Sequence, residues 1–161
     1  AKSGRWRLCA SFVAPYPTGL SSIGLTQMPV DAFFDTNILI YAVAENDLRG
    51  PLAEALLAKG GVIGVQGLNE FASVARRKMS MSWKEVSGAL EAILTLCPSP
   101  IPVTLTTHET GRKIAEDFGY GIYDALVAAA AFEAGCSILL SEDFQDGQVL
   151  YGKLTIRNPF K

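Results

Sequence analysis

Short apolar runs alternate with longer helical patterns along most of the chain, and this alternation restricts the fold more than any other sequence feature. The runs are rich in β-forming residues and occupy positions 30–34, 61–65, 101–105, 137–140 and 154–160. The segments between them show helical spacing of apolar residues and occupy positions 37–46, 51–60, 69–79, 82–97, 107–119 and 123–135. Strands that alternate with helices predict an α/β domain with a mainly parallel sheet.

The first 27 residues differ from the rest of the chain. They show neither helical nor strand periodicity, and Pro15 and Pro17 interrupt the apolar stretch that a secretory signal would need. Met28 is therefore predicted to be the natural start. Residues 1–27 are expected to be a non-native or disordered extension, and residues 28–161 are expected to form one domain.

Composition excludes some classes of protein and leaves others open. A net charge of −2 gives no whole-chain indication of nucleic-acid binding, although a local basic patch could still bind a nucleic acid. Cys9, Cys97 and Cys136 form no CxxC pair, which predicts reduced thiols in a cytoplasmic protein rather than a zinc site or a disulfide framework. The longest apolar stretch, at positions 125–132, is too short to span a membrane.

Four acidic residues occupy similar places in the predicted elements. Asp35 directly follows the first apolar run, Glu70 and Asp124 fall in the first turns of predicted helices, and Asp143 comes three residues after the run that ends at position 140. Any one of them could simply complement a helix dipole, worth about 0.3–1 kcal/mol, or lie in a solvated turn. Ligands of parallel sheets bind beyond the carboxyl ends of the strands, so the repetition favours one shared site.

Acids that share a site repel one another unless a cation lies between them. The repulsion between two unit charges 4 Å apart is about 4 kcal/mol at an effective dielectric constant of 20. A divalent cation removes it, and an all-oxygen set of ligands predicts Mg²⁺ or Mn²⁺ rather than zinc.

Polar residues beside these acids have two interpretations each. Thr36 and Asn37 suit the cap of a helix, and Asn37 suits equally well a hydrogen bond that orients a metal-bound carboxylate. Ser141 could orient the last acid or simply be a turn hydroxyl. Glu142 and Asp146 are alternative acids in the same loop.

Arg76, Arg77 and Lys78 form the only dense basic run of the predicted domain. Arg77 shares a helical face with Glu70, so it could reach a phosphate near the acids; the alternative is a solvated helix end that complements the dipole. His108, the sole histidine, opens a predicted helix, where a capping or surface role is favoured over catalysis.

Four segments together resemble a known family: FFDTNILIYA, LNEFASVARRK, YDALVAAAAFEAGCSILLSEDFQDG and LTIRNPF. In this order they are similar to the PIN domain, and more narrowly to the VapC-type toxin ribonucleases of bacterial toxin–antitoxin pairs. The resemblance covers residues 28–161. It implies a three-layer α/β/α sandwich around a parallel sheet and a metal-dependent endoribonuclease that leaves a 5′-phosphate and a 3′-hydroxyl.

The resemblance also implies roles and partners. Asp35, Glu70, Asp124 and Asp143 would form the catalytic acidic set, with Asp35 and Asp124 at the first of two Mg²⁺ or Mn²⁺ ions. The chain would act on RNA in the cytoplasm, bind a cognate antitoxin and form a homodimer. The apolar stripe of segment 82–97 would be ordinary core or, in part, a surface for the antitoxin or the second copy.

Three rival functions remain. A phosphatase with an aspartyl nucleophile would need a second acid where Asn37 stands. A PIN-like binding module without activity is disfavoured because all four acids are present. A nucleotide-binding Rossmann domain would need a GxGxxG motif after the first strand, and the chain has none there.

Overall fold

A computed structural model describes residues 31–161. The predictions for residues 1–27, for Met28 and for Cys9 lie outside these residues. The described part contains, in chain order, β1 (Ala32–Phe34), α1 (Thr36–Val43), α2 (Gly50–Ala58), α3 (Val65–Arg77), α4 (Trp83–Leu96), α5 (Leu105–Phe118), α6 (Ile122–Glu133), β2 (Ile138–Leu140), β3 (Val149–Leu150) and β4 (Leu154–Arg157).

The four strands form one mixed sheet in the order β1-β2-β4-β3. β1 pairs with β2 and β2 pairs with β4 in parallel, so these three strands have their carboxyl ends at the same edge. β3 pairs with β4 in antiparallel orientation. The prediction of an α/β domain with a mainly parallel sheet is confirmed. The short strand β3 was not predicted, because two residues are too few to show a period.

Two apolar cores cover the two faces of this sheet. Phe34 and Leu140 belong to the core that the sheet shares with α1, α2, α3 and α4. Phe33 and Leu139 belong to the other core, shared with α5 and α6. Successive strand residues point to opposite faces, so these adjacent pairs divide between two helical layers. This is the predicted three-layer α/β/α arrangement.

Two of the predicted strands are wrong in extent. Residues 61–65 and 101–105 contribute only isolated bridges, Phe33 to Val62 and Gly64 to Ile101. Ile101 lies between Pro100 and Pro102, and proline has no backbone N–H with which to extend a ladder. The bridges nevertheless continue the sheet beyond β1 in parallel orientation.

Helix α3 begins at Val65, four residues before the predicted start at 69, because the strand that should precede it ends early. The prediction that Glu70 lies in the first turn is therefore wrong, and Glu70 lies in the second. Asp124 does lie in the first turn of α6. None of the helices in residues 31–161 is long and apolar enough to cross a membrane.

Candidate functional site

Asp35 lies where β1 ends and α1 begins. It is the N-cap of α1, and its Oδ1 accepts a hydrogen bond from the backbone N–H of Thr36 at 2.6 Å. The prediction that Thr36 caps the helix is therefore wrong, because the aspartate one residue earlier takes that position. Since β1 is buried on both faces, only 6% of Asp35 is exposed.

Ser141 directly follows β2, the parallel neighbour of β1, so it lies beside Asp35 at the same edge of the sheet. Its buried hydroxyl donates to Asp35 Oδ2 at 2.6 Å and accepts the backbone N–H of Asp143 at 3.1 Å. A hydroxyl has one donor and two acceptor lone pairs. Ser141 therefore orients the buried carboxylate and also fixes the backbone of the next acid.

Asn37 links two of the predicted acids. Its Nδ2 lies 3.4 Å from Asp35 Oδ2, 3.2 Å from Asp143 Oδ2 and 3.2 Å from Ser141 Oγ. Its Oδ1 is buried and has no hydrogen-bond partner among the described residues. The side-chain amide thus bridges carboxylates that come from opposite ends of the domain sequence.

Glu70 and Asp124 reach this edge from two helices. Thr36 Oγ1 donates to Glu70 Oε2 at 3.1 Å, which connects α3 to the start of α1. The pKa of Asp124 is raised, first by burial and then by the negative charges of Asp143 and Glu70. The four predicted acids therefore act on one another electrostatically and are not scattered over separate surfaces.

Burial raises the pKa of Asp35 from 3.8 to about 7. The hydrogen bonds from Ser141 and Thr36 lower it, and the charges of Asp143 and Glu70 raise it further. Desolvation disfavours the charged carboxylate, and nearby like charges do the same. Asp35 thus lies in a place where a carboxylate is costly unless a cation accompanies it.

The carboxylate oxygens suit a hard cation as ligands, although they do not already form a cation-binding site. Within residues 31–161, no lysine or arginine forms an ion pair with Asp35, Glu70, Asp124 or Asp143. All available ligands are oxygens, which Mg²⁺ and Mn²⁺ prefer. In the same part of the chain, no three acids stand close enough together to enclose an ion as they are now oriented. Glu70 and Asp143 are engaged instead with neutral hydrogen-bond donors.

Glu142, one of the two alternative acids, is held by a separate cluster. Arg49 Nη1 lies 3.0 and 2.9 Å from its two carboxylate oxygens, and the hydroxyl of Tyr41 also bonds to it. The Arg49 guanidinium lies 3.6 Å from the centroid of the Tyr41 ring. The other alternative, Asp146, accepts the backbone N–H of Asn158 at 2.8 Å. Both therefore have structural partners, whereas Asp143 faces Asn37.

The basic run lies on the same helix as Glu70 but does not contact the acids. Arg76, Arg77 and Lys78 are exposed at the carboxyl end of α3. Arg77 Nε lies 3.4 Å from the carbonyl oxygen of Ser73, one turn back. His108 is exposed in the first turn of α5.

Arg49 and Tyr41 are the residues near the site that the sequence did not reveal. Arg49 contacts Glu142 across 93 residues of sequence. No spacing rule covers such a separation. The available signal is positional: Arg49 precedes α2 in a loop that follows α1, and that loop returns to the carboxyl edge of the sheet.

Comparison with known proteins agrees with this geometry. Residues 32–145 match the family described as PIN domain. This span includes all four acids and confirms the resemblance seen in the sequence. No curated protein matches the chain in sequence.

Two solved structures share the fold at low sequence identity. One is Mycobacterium tuberculosis VapC20, described as a toxin that cleaves the sarcin–ricin loop; it has a TM-score of 0.57 and 19% identity, over 67% of this chain and 86% of that one. The other is VapBC2 from Rickettsia felis, bound to a DNA fragment from its promoter; it has a TM-score of 0.53 and 20% identity, over 79% of this chain and 97% of that one.

Proposed function

The chain belongs to the PIN domain family, and on that premise we propose that it is a metal-dependent endoribonuclease, the toxin of a toxin–antitoxin pair. One observation carries the proposal: Asp35 is buried beside other acids and has only uncharged donors as partners. Such a carboxylate has no cationic side chain beside it, which favours the binding of a metal cation. A metal cation at the sheet edge would in turn suit a phosphodiester substrate. The structural neighbours described as a sarcin–ricin loop cleaving toxin and as VapBC2 support the narrower assignment.

Asp35 and Asp124 would hold Mg²⁺, or Mn²⁺ in its place, and Glu70 and Asp143 would complete the set directly or through water. When bound, a divalent cation supplies charge neutralisation, activation of a water molecule and stabilisation of the leaving oxygen. The residue types fit this role because all of them offer oxygen ligands.

The surrounding residues orient these acids through hydrogen bonds. Ser141 holds Asp35 by a 2.6 Å hydrogen bond, and Asn37 holds Asp143 at 3.2 Å. Thr36 does the same for Glu70. Partners of metal-binding carboxylates commonly tune affinity and activity by 10- to 100-fold. The roles of Asn37 and Ser141 are thus to position the acids.

The remaining parts of the proposal concern partners. A cognate antitoxin, a homodimer and a cytoplasmic location follow from the likeness to VapC-type proteins. The free, buried thiols of Cys97 and Cys136 agree with a reducing compartment. Co-expression with the adjacent open reading frame, followed by copurification and by light scattering, tests the antitoxin and the dimer separately.

The decisive experiment compares the full chain with Asp35→Asn on structured and unstructured RNA, with Mg²⁺ or with EDTA. We expect cleavage by the wild type with Mg²⁺ only, and none by the variant. Asp117→Asn is the matched control, because it makes the same chemical change at an exposed residue on α5. Equal cleavage by Asp35→Asn, or cleavage of a small phosphomonoester but not of RNA, would refute the proposal.

A second pair of variants tests which acid of the loop belongs to the site. Asp143→Asn is expected to abolish cleavage. Glu142→Gln is expected to retain most of it, because Glu142 is turned toward Arg49 and Tyr41. The opposite pattern would move the site to Glu142.

A further inference from the structure

A groove opens between α3 and α4, on the side where the basic run lies. It has a volume of about 520 Å³ and is lined by Asn69, Ala72, Ser73, Arg76, Arg77 and Trp83. We call it the Trp83 groove. Its lining combines one large aromatic ring with two guanidinium groups. None of these side chains belongs to the acidic site.

Trp83 is held in position but remains open to solvent. It is the first residue of α4, and 63% of it is exposed. The guanidinium of Arg76 lies 5.3 Å from the centroid of the indole ring, and Arg76 also donates to the carbonyl oxygen of Met81. Arg76 thus ties the end of α3 to the chain just before α4. The indole ring is therefore fixed in place and still accessible from solvent.

The cations around this ring have no acidic partners among residues 31–161. Arg77, Lys78 and Lys84 are exposed, and no carboxylate of that part of the chain lies within ion-pair distance of them or of Arg76. In a chain with a net charge of −2, this is a local concentration of positive charge. Unpaired lysine and arginine beside an aromatic ring are the combination that binds single-stranded nucleic acid.

The groove and the acidic site both include residues of α3. Glu70, Ser73 and Arg77 follow one line of the helix, at spacings of three and four residues. The seven residues from Glu70 to Arg77 correspond to a rise of about 10 Å. At roughly 3.4 Å per stacked nucleotide, this distance is about three nucleotides. A strand whose phosphate lies at the acids would therefore place a nearby base at Trp83.

We infer that the Trp83 groove is a base-stacking subsite for an unpaired nucleotide of the RNA substrate, a few nucleotides from the scissile phosphate. This inference rests on the proposed ribonuclease function. The base stacks on the exposed indole, and Arg77 contacts the adjacent phosphate. The unpaired cations beside the ring complement the negative charge of a phosphate backbone, which favours RNA as the occupant.

The test uses the full chain in EDTA, where binding is measured without metal-dependent cleavage. The chain has two tryptophans, and Trp6→Phe leaves Trp83 as the only one. Titration with a short oligoadenylate is expected to quench Trp83 emission. Trp83→Ala is expected to weaken binding, measured by anisotropy of a labelled oligoadenylate, by roughly 5- to 150-fold, the equivalent of about 1–3 kcal/mol. Trp83→Phe is expected to restore most of the affinity.

Two controls separate stacking from other effects. Leu105→Ala removes another exposed apolar side chain, 72% exposed against 63% for Trp83, on a different helix and is expected to leave affinity unchanged. An abasic nucleotide moved along the oligoadenylate is expected to weaken wild-type binding at one position and to cost nothing further in Trp83→Ala. Thermal melting confirms that each variant is folded.

Three results would overturn the inference. The first is an abasic penalty that persists unchanged in Trp83→Ala. The second is Trp83 emission that responds to protein concentration but not to RNA, which would assign the groove to a second copy of the chain. The third is an absence of quenching while wild-type cleavage still depends on Asp35, which refutes the subsite alone. Quenching without any cleavage would instead retain the subsite and refute the nuclease.

Discussion

Replacing Asp35 by asparagine is expected to stabilise the metal-free protein at about pH 8, even though it should abolish cleavage. The reason is the burial that raises the pKa of Asp35 from 3.8 to about 7. In the folded protein the ionised carboxylate is desolvated and faces the charges of Asp143 and Glu70, whereas in the unfolded chain it is solvated. An amide carries no charge, so it avoids this cost.

The sign and the size follow from the pKa difference. Because the folded pKa is the higher one, the stability that Asp35 contributes is fully present below pH 3.8 and is lost as the pH rises through about 7. At about 1.4 kcal/mol per pKa unit, the shift corresponds to about 4 kcal/mol. Asparagine also loses one carboxylate acceptor for Ser141 or Thr36, worth about 1–2 kcal/mol. The expected net gain at about pH 8 is therefore on the order of 2 kcal/mol.

Urea unfolding in EDTA at about pH 4 and about pH 8 measures both effects. At the lower pH Asp35 is protonated in the folded protein, so the variant should be less stable than the wild type by about 1–2 kcal/mol. Glu109→Gln, a change at an exposed carboxylate of α5, is the control and should follow the wild type. Adding Mg²⁺ at about pH 8 should stabilise the wild type but not Asp35→Asn. If the free energies of unfolding of the wild type and Asp35→Asn differ by the same amount at both pH values, the reasoning is refuted.

Three further substitutions test the packing around the site. Ser141→Ala removes the hydroxyl that donates to the buried carboxylate at 2.6 Å and should cost about 1–3 kcal/mol in urea unfolding; an unchanged midpoint would contradict this role. Arg49→Met breaks the ion pair with Glu142 and, like Glu142→Gln, should retain most of the cleavage while circular dichroism stays unchanged; loss of cleavage would show that this cluster positions the loop. Gly61→Ala would bring a Cβ within 2.5 Å of the Phe34 ring and should lower stability by about 1–3 kcal/mol; wild-type thermal stability would contradict the close approach.

The fold and the place of the site could be predicted because both depend on local patterns. A buried parallel strand is a short, continuous apolar run, and the residue after it must lie at the carboxyl edge of the sheet. Asp35 follows β1 and Ser141 follows β2 in this way, and the pairing of these two strands brings the residues together. Asp143 could be selected for the same reason and Asp124 because it begins a helix, whereas Glu70 was selected for a first-turn position that it does not have.

Side-chain partners could not be predicted, because they depend on distances that the sequence does not contain. Asp35 rather than Thr36 caps α1, because the helix begins at Thr36, one residue before the predicted start. The reduction of 101–105 to one bridge depends on which N–H groups face the neighbouring segment, and Pro102 offers none. The contact between Arg49 and Glu142 joins loops that are remote in the chain.

The buried carboxylate also connects folding with cation binding. Neutral donors alone hold Asp35, so the metal-free protein at neutral pH keeps it either protonated or at a cost in stability. A cation that binds the folded protein and not the unfolded chain removes that cost and raises stability by mass action. The pKa of Asp35 should therefore fall when the cation binds, and protons should be released below about pH 7. Calorimetric titration of Mg²⁺ in two buffers of different ionisation enthalpy measures this release, and an identical apparent enthalpy in both buffers would show that Asp35 does not meet the cation.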